Sequence, residues 1–225
     1  MTTNRKVVFN NGYIYHIFNR GIDRRNVFTE FREYSRALDL IKYYRYQDTP
    51  VSYSKLLQQP REMRSDVLRE LARNETHVNI LTYCLMPNHF HLMLQQNADK
   101  GVPTFVSNFT NAYTKYFNTK HERNGPMFEG VFKAVFVESD EQLIHLSRYI
   151  HLNPVVASII NETDIERYKW SSFSNYVSPV VNDERIVDSD LVLSVVGSKQ
   201  TYRKFVMDHV DYAKKLHMIK HLTFE

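Results

Sequence analysis

An α+β fold built on a four-stranded antiparallel sheet is predicted for this chain by three observations. Short segments of alternating aromatic and aliphatic residues recur between Gly12 and Val137. Two of them meet across Pro87-Asn88, a turn dipeptide, and so read as adjacent strands. Stretches with apolar residues at helical spacing lie between and after them.

Gly12 to Phe18 alternates as a first strand and runs into a basic turn, Asn19-Arg20-Gly21-Ile22-Asp23-Arg24-Arg25. From about Glu30 to Tyr46, the positions of Phe31, Tyr34, Ala37, Leu38, Ile41 and Tyr44 predict a helix. Residues 50–76 read as an insertion, with a short amphipathic helix after Pro60. His77 to Leu85 is the second strand and His89 to Gln95 the third. Pro103 opens a helix whose apolar face carries Val106, Phe109, Tyr113 and Phe117. The later part of Met127 to Val137 alternates as a fourth strand. Asp140 caps a further helix, expected to end near Pro154. Trp170 to Tyr176 reads as a segment packed back on the domain, with base stacking as the alternative. Asp188 to Lys215 is helical with a break at Gly197-Ser198. Strand, helix, strand, strand, helix, strand is the ferredoxin-like βαββαβ plan, with helices on one face and central first and third strands. One extra C-terminal helix and a helical appendage follow it.

The totals bound the function. With 225 residues, 43% hydrophobic and 24% charged, the chain can bury a core as one domain with an appendage. A net charge of +4 permits an anionic partner without requiring one. The single cysteine, Cys84, excludes an intrachain disulfide and a Cys-rich zinc site, and reads as a buried thiol. The polar start, Met1 to Lys6, lacks the apolar core of a signal peptide, and no run reaches the ~20 apolar residues of a membrane helix. The expectation is a soluble cytoplasmic protein with no membrane partner.

His89 and His91 are two apart on a strand, so their imidazoles share a face about 6–7 Å apart while Phe90 points to the other side. Two such rings can converge on one metal ion, or can simply be polar residues on a half-exposed face. Downstream, Tyr149 and Asn153 are four apart on a helix and share its face. Two imidazoles and a carboxamide oxygen can hold one side of a divalent cation and leave positions for water and a phosphate oxygen, which suits Mg²⁺ or Mn²⁺. A phenol on the neighbouring turn could then attack phosphorus.

These residues stand in two motifs, Met86-Pro87-Asn88-His89-Phe90-His91-Leu92 and Tyr149-Ile150-His151-Leu152-Asn153-Pro154-Val155. Together they resemble the HUH single-tyrosine transposases, in the branch of REP-associated tyrosine transposases. Trp170 to Tyr176 is similar to that family's aromatic segment, and the likeness runs from about Gly12 to Tyr176. One departure is Gly130-Val131-Phe132-Lys133, where the family often has Gly-Arg-Phe-Lys, so a basic DNA contact is missing at Val131.

The resemblance implies a transposase or nuclease domain over residues 1–180 and a helical extension over 181–225. It implies that His89, His91 and Asn153 bind Mg²⁺ or Mn²⁺. Tyr149 would cleave and rejoin single-stranded DNA beside a hairpin through a 5′-phosphotyrosine. Arg20, Arg24, Arg25, Lys133 and Arg148 are candidate phosphate or DNA contacts, as are Lys199, Arg203 and Lys204; each could equally be a solvated side chain. His145 and His151 are read as lying outside the chemistry. His16, on the expected neighbour of the histidine strand, is read the same way, with a place near the site as the alternative. A homodimer is possible, because relatives can complete a site with a helix from a second subunit. The alternatives are a hairpin-binding protein without catalysis and a zinc hydrolase that would not need Tyr149.

Overall fold

The computed structural model describes residues 7–178 and 186–215. The expected boundary at 180/181 lies outside these residues, as do Met1 to Lys6 and positions 216–225. Four strands, β1 (Ile14–Arg20), β2 (Val78–Met86), β3 (His89–Gln96) and β4 (Lys133–Phe136), form one sheet in the order β2-β3-β1-β4. Every neighbouring pair is antiparallel. β1 and β3 are the central pair, as the ferredoxin-like plan requires.

Side chains alternate across this sheet, so each strand serves two layers. Tyr15 and Ile17 of β1 and Phe90, Leu92 and Leu94 of β3 are buried together on one side. There Phe90 meets Phe109 of α4 (Gly101–Lys120) edge-on at 5.4 Å, and α4 packs on α1 (Phe31–Tyr44). A buried carboxylate fixes that joint. Glu33 Oε1 on α1 accepts from Lys120 Nζ and meets His121 Nε2, both at 2.6 Å, and Oε2 accepts from the backbone and hydroxyl of Thr29. The insertion holds two helices, α2 (Tyr53–Leu56) and α3 (Arg61–Leu71), the second beginning directly after Pro60.

The opposite side of the sheet is covered by α5 (Asp140–Val156), which packs on β2 and β3. His151 on α5 is fully buried, with Nδ1 at 2.7 Å from the Tyr202 hydroxyl and Nε2 at 2.8 Å from Ser172 Oγ. Ser172 Oγ in turn accepts from the backbone N–H of Tyr83 on β2. The structural reading of His151 therefore holds. Tyr202 belongs to α8 (Lys199–Met207), which with α7 (Asp190–Val196) leans on α5; the break between them falls at Gly197, as expected. The aromatic segment leads into α6 (Phe173–Val177) and packs back as expected, with Trp170 stacked on Tyr34 at 4.7 Å.

Four boundaries differ from the sequence reading. β1 runs on to Arg20, because pairing with β3 continues through Arg20↔His89, so Asn19 and Arg20 leave the expected turn and join the strand. α4 begins at Gly101 rather than Pro103, and a Cβ at Gly101 would lie 2.2 Å from the His77 carbonyl oxygen. Pro103 falls in the first turn, where a missing N–H costs no helical bond. The cap of α5 is Ser139, whose side chain accepts from Gln142 N at 3.2 Å, and Asp140 and Glu141 fill the first turn instead. α5 also passes through Pro154 to Val156, and Ala157 N closes it by donating to the Asn153 carbonyl.

Candidate active site

The α5 side of the sheet carries the chemistry. Strand alternation and register place His89 and His91 of β3, His16, Phe18 and Arg20 of β1, and Lys133 of β4 on this face. The two motif imidazoles are perpendicular, with ring centroids 4.9 Å apart. Tyr149 projects from α5 onto them, its ring 5.6 Å from that of His91 and edge-on to it. Tyr149 keeps about half its surface exposed (52%), so its ring is open to a substrate while one side rests on the histidines.

Hydrogen bonds select the nitrogens left for a ligand. His89 Nδ1 lies 2.6 Å from Asn88 Oδ1; a carboxamide oxygen only accepts, so Nδ1 carries the proton and Nε2 holds the lone pair. His91 Nδ1 is 2.9 Å from His16 Nε2, which leaves its own Nε2 for a cation. Burial, with Arg20 nearby, pushes His89 down to about 4. Burial, then His16, His89 and Arg20, hold His91 well below its ordinary value. Both are therefore neutral at pH 7, the state that can donate to a metal. Asn153 Nδ2 donates to the Tyr149 carbonyl at 2.8 Å, so Oδ1 is the atom it can offer outward. Among the described residues, no group of three or more His, Cys, Asp or Glu is arranged to hold a metal ion; Asn153 lines the same cleft as His89 and offers a carboxamide oxygen there. This oxygen and nitrogen set fits a hard or borderline divalent cation. Burial pushes the Tyr149 phenol above its ordinary value, against the pull of the Asn153 side chain and Arg20.

A cleft of about 360 Å³ is lined by Arg20, His89, Tyr149 and Asn153, together with Arg148, His145, His209 and Tyr212. No Asp or Glu lines it, so the field inside is positive and suits a phosphate. Arg20 reaches this cleft from the end of β1. Arg24 and Arg25 sit in the exposed loop beyond, which is tied to the Pro87-Asn88 turn by bonds from Gly21 N to the Asn88 carbonyl and from Val27 N to the Pro87 carbonyl. Gly21 lets this loop fold tightly on itself, since a Cβ there would stand 2.3 Å from the Arg25 carbonyl oxygen. Arg25 pairs with Asp23 at 3.3 Å. Arg148 lies over the Phe205 ring at 4.2 Å, with Nη2 2.6 Å from His145 Nδ1, so α8 helps to hold it at the cleft. Lys133 is exposed on β4, opposite Phe18 and two strands from the histidines.

The sequence reading misplaced or missed several groups. His16 lies within the constellation, because β1 and β3 are neighbours and register sets it diagonally across from His91. His145 borders the cleft rather than only the surface. His209 and Tyr212, which follow α8, carry no local signal, yet they line the same cleft as Tyr149. Lys199 Nζ donates to the Ser178 carbonyl at 2.6 Å and Arg203 pairs with Glu166 at 2.6 Å, so these two candidates are engaged within the chain.

The IS200-like transposase family matches residues 51–153, a span that contains the first motif and the second as far as Asn153. No curated protein matches the chain in sequence. Among solved structures, a REP-associated tyrosine transposase bound to a REP hairpin superimposes with a TM-score of 0.57 at 12% identity, covering 83% of this chain and 94% of that one. No helix among the described residues is long and apolar enough to cross a membrane. The chain is thus similar to the IS200-like transposases across the segment that holds His89, His91, Tyr149 and Asn153, and it shares the fold of a REP-associated tyrosine transposase.

Proposed function

We propose that this protein is a metal-dependent transposase that cleaves and rejoins single-stranded DNA with Tyr149 as nucleophile. The observation that carries this reading is the placement of Tyr149 against His91, with Asn153 one turn further along the same helix. Nucleophile and metal donors then meet at one phosphate. A divalent cation held by His89 Nε2, His91 Nε2 and Asn153 Oδ1 would polarise the scissile phosphate as a Lewis acid.

In the cleavage step, Tyr149 Oη bonds to phosphorus and the bond to O3′ breaks. The 5′ end is left on the enzyme and a 3′-hydroxyl on the departing strand, which takes up a proton. Attack by the 3′-hydroxyl of another strand reverses the step and joins the two. Burial raises the phenol, so its proton must be drawn off as the bond forms; in a cleft without carboxylates it passes to water or to an imidazole. Arg20 and Arg148, which line the same cleft as Tyr149, balance the phosphate charge. Single-stranded DNA is the substrate because an open cleft rimmed by aromatic rings accepts an unstacked strand more readily than a duplex. The hairpin carried by the structural relative is the proposed element beside the cleavage site.

Labelled single-stranded DNA containing hairpins, incubated with the protein and Mn²⁺, should give a covalent protein–DNA band on a denaturing gel. The band should vanish in Tyr149→Phe and with chelator. Cleavage without such a band, or cleavage retained by Tyr149→Phe, would remove the phosphotyrosine reading.

A further inference from the structure

His16 has no part in the mechanism above, yet it holds the one hydrogen bond made by the His91 ring among the described residues, 2.9 Å from Nε2 to Nδ1. The two rings lie nearly parallel, 23° apart, with centroids at 5.1 Å. Phe18 flanks His16 at 4.9 Å, and Tyr149 meets its edge at 6.3 Å. The pair crosses from β1 to β3, where the register sets His16 opposite Met93 and Phe18 opposite His91.

We propose that His16 is a positioning residue for His91, accepting its Nδ1–H and thereby holding it in the tautomer whose Nε2 lone pair is open to a cation. The inference rests on the reading of His91 as a metal ligand. A neutral imidazole has one N–H and one lone pair, and a single proton lies between the two rings. If His16 donated it, His91 would carry its own proton on Nε2 and that nitrogen would be closed to metal. If His91 donates it, Nε2 is open. Only the second arrangement is compatible with coordination through the nitrogen that His16 leaves available. Metal-binding histidines generally give their other N–H to an oxygen acceptor, which fixes tautomer and ring orientation. Here a second imidazole fills that place, and it must carry its own proton on Nδ1 to do so. Phe18 and Tyr149 brace the accepting ring, so the bond also resists rotation of His91 about its side chain.

The experiment uses the full chain and two readouts that do not depend on DNA cleavage. Mn²⁺ affinity is measured by calorimetry for wild type, His16→Phe, His16→Gln and, as control, His89→Ala. Histidine tautomers are assigned by ¹⁵N-correlated NMR in the metal-free wild type. Phe keeps the ring and its packing but cannot accept, so His16→Phe should weaken Mn²⁺ binding by about 10–100-fold. Gln presents an acceptor oxygen near the position of Nε2, and His16→Gln should restore most of the affinity. The spectrum should show His91 protonated on Nδ1 and His16 protonated on Nδ1. If His16→Phe binds Mn²⁺ like wild type while His89→Ala does not, the metal site stands and the role of His16 is wrong. If His89→Ala also binds like wild type, the metal reading itself has failed. A wild-type His91 protonated on Nε2 overturns the inference whatever the stability of the variants.

Discussion

Arg20 and Arg25 arise from the same basic stretch, but strand pairing separates their fates. Arg20 is carried by β1 to a position opposite His89 and lines the cleft, whereas Arg25 stays in the exposed loop and pairs with Asp23. Each phosphate contact to a single strand contributes roughly 0.7 to the slope of log affinity against log salt. Arg20→Ala should therefore weaken binding of single-stranded DNA and flatten that slope by about this amount. Arg25→Ala should change the slope little, because its charge is already shared with a carboxylate. Fluorescence anisotropy across a salt series checks both; equal slopes for Arg20→Ala and wild type would take Arg20 out of the contact. The motif residues were legible in the sequence because each pair sits within one element, where the period of a strand or helix decides which side chains converge. The place of His16 in the constellation was not, and Arg20 was legible as a candidate contact but not as a strand residue, since both places depend on how far two strands distant in sequence stay paired.

The joint between α1 and α4 depends on a single buried carboxylate. Burial raises the pKa of Glu33, but the bonds from Lys120, His121 and Thr29 overcome it and bring the group from 4.5 down to about 2. A folded-state pKa below the unfolded value means that the stabilisation is complete above pH 4.5 and is lost as pH falls toward 2. The shift corresponds to about 3 kcal/mol. Glu33→Gln should thus lower the unfolding free energy at pH 7 by an amount of that order, and the gap from wild type should shrink steadily below pH 4.5 in urea titrations. A gap independent of pH would assign the loss to packing instead. On the other side of the sheet, His151→Leu should destabilise by about 1–3 kcal/mol, because it removes one buried partner from each of the Tyr202 and Ser172 hydroxyls, which keep only their bonds to Ser147 and Tyr83. Element order was readable because apolar period distinguishes strand from helix even without tertiary information. Element ends were less so: Ser139 and Asp140 are both good caps, and the choice between them turns on which residue keeps extended backbone, as Ser139 does.

Across the whole molecule, the decisive feature is that one chain supplies both halves of the candidate site. α5 is fixed to its own sheet by a buried face that includes Leu143, Ile150, Leu152 and Val155, and by the His151 network to β2 and α8. For a partner's helix to deliver the tyrosine instead, this face would have to leave its core. At about 25 cal/mol per Å² of apolar surface, exposing several fully buried side chains while helices exchange costs many kcal/mol. α8 packs on α5, and His209 and Tyr212 just beyond it line the same cleft as Asn153, which ties the C-terminal segment to the site. The site should therefore assemble in cis. Tyr149→Phe keeps the histidines, and a His89→Ala/His91→Ala double variant keeps the tyrosine, so each alone should form no covalent adduct. Mixing the two should restore none, because no chain in the mixture holds both halves. Adduct recovered on mixing, carried on the double variant, would require a tyrosine from one chain to act at the histidines of another and would show that α5 exchanges between subunits.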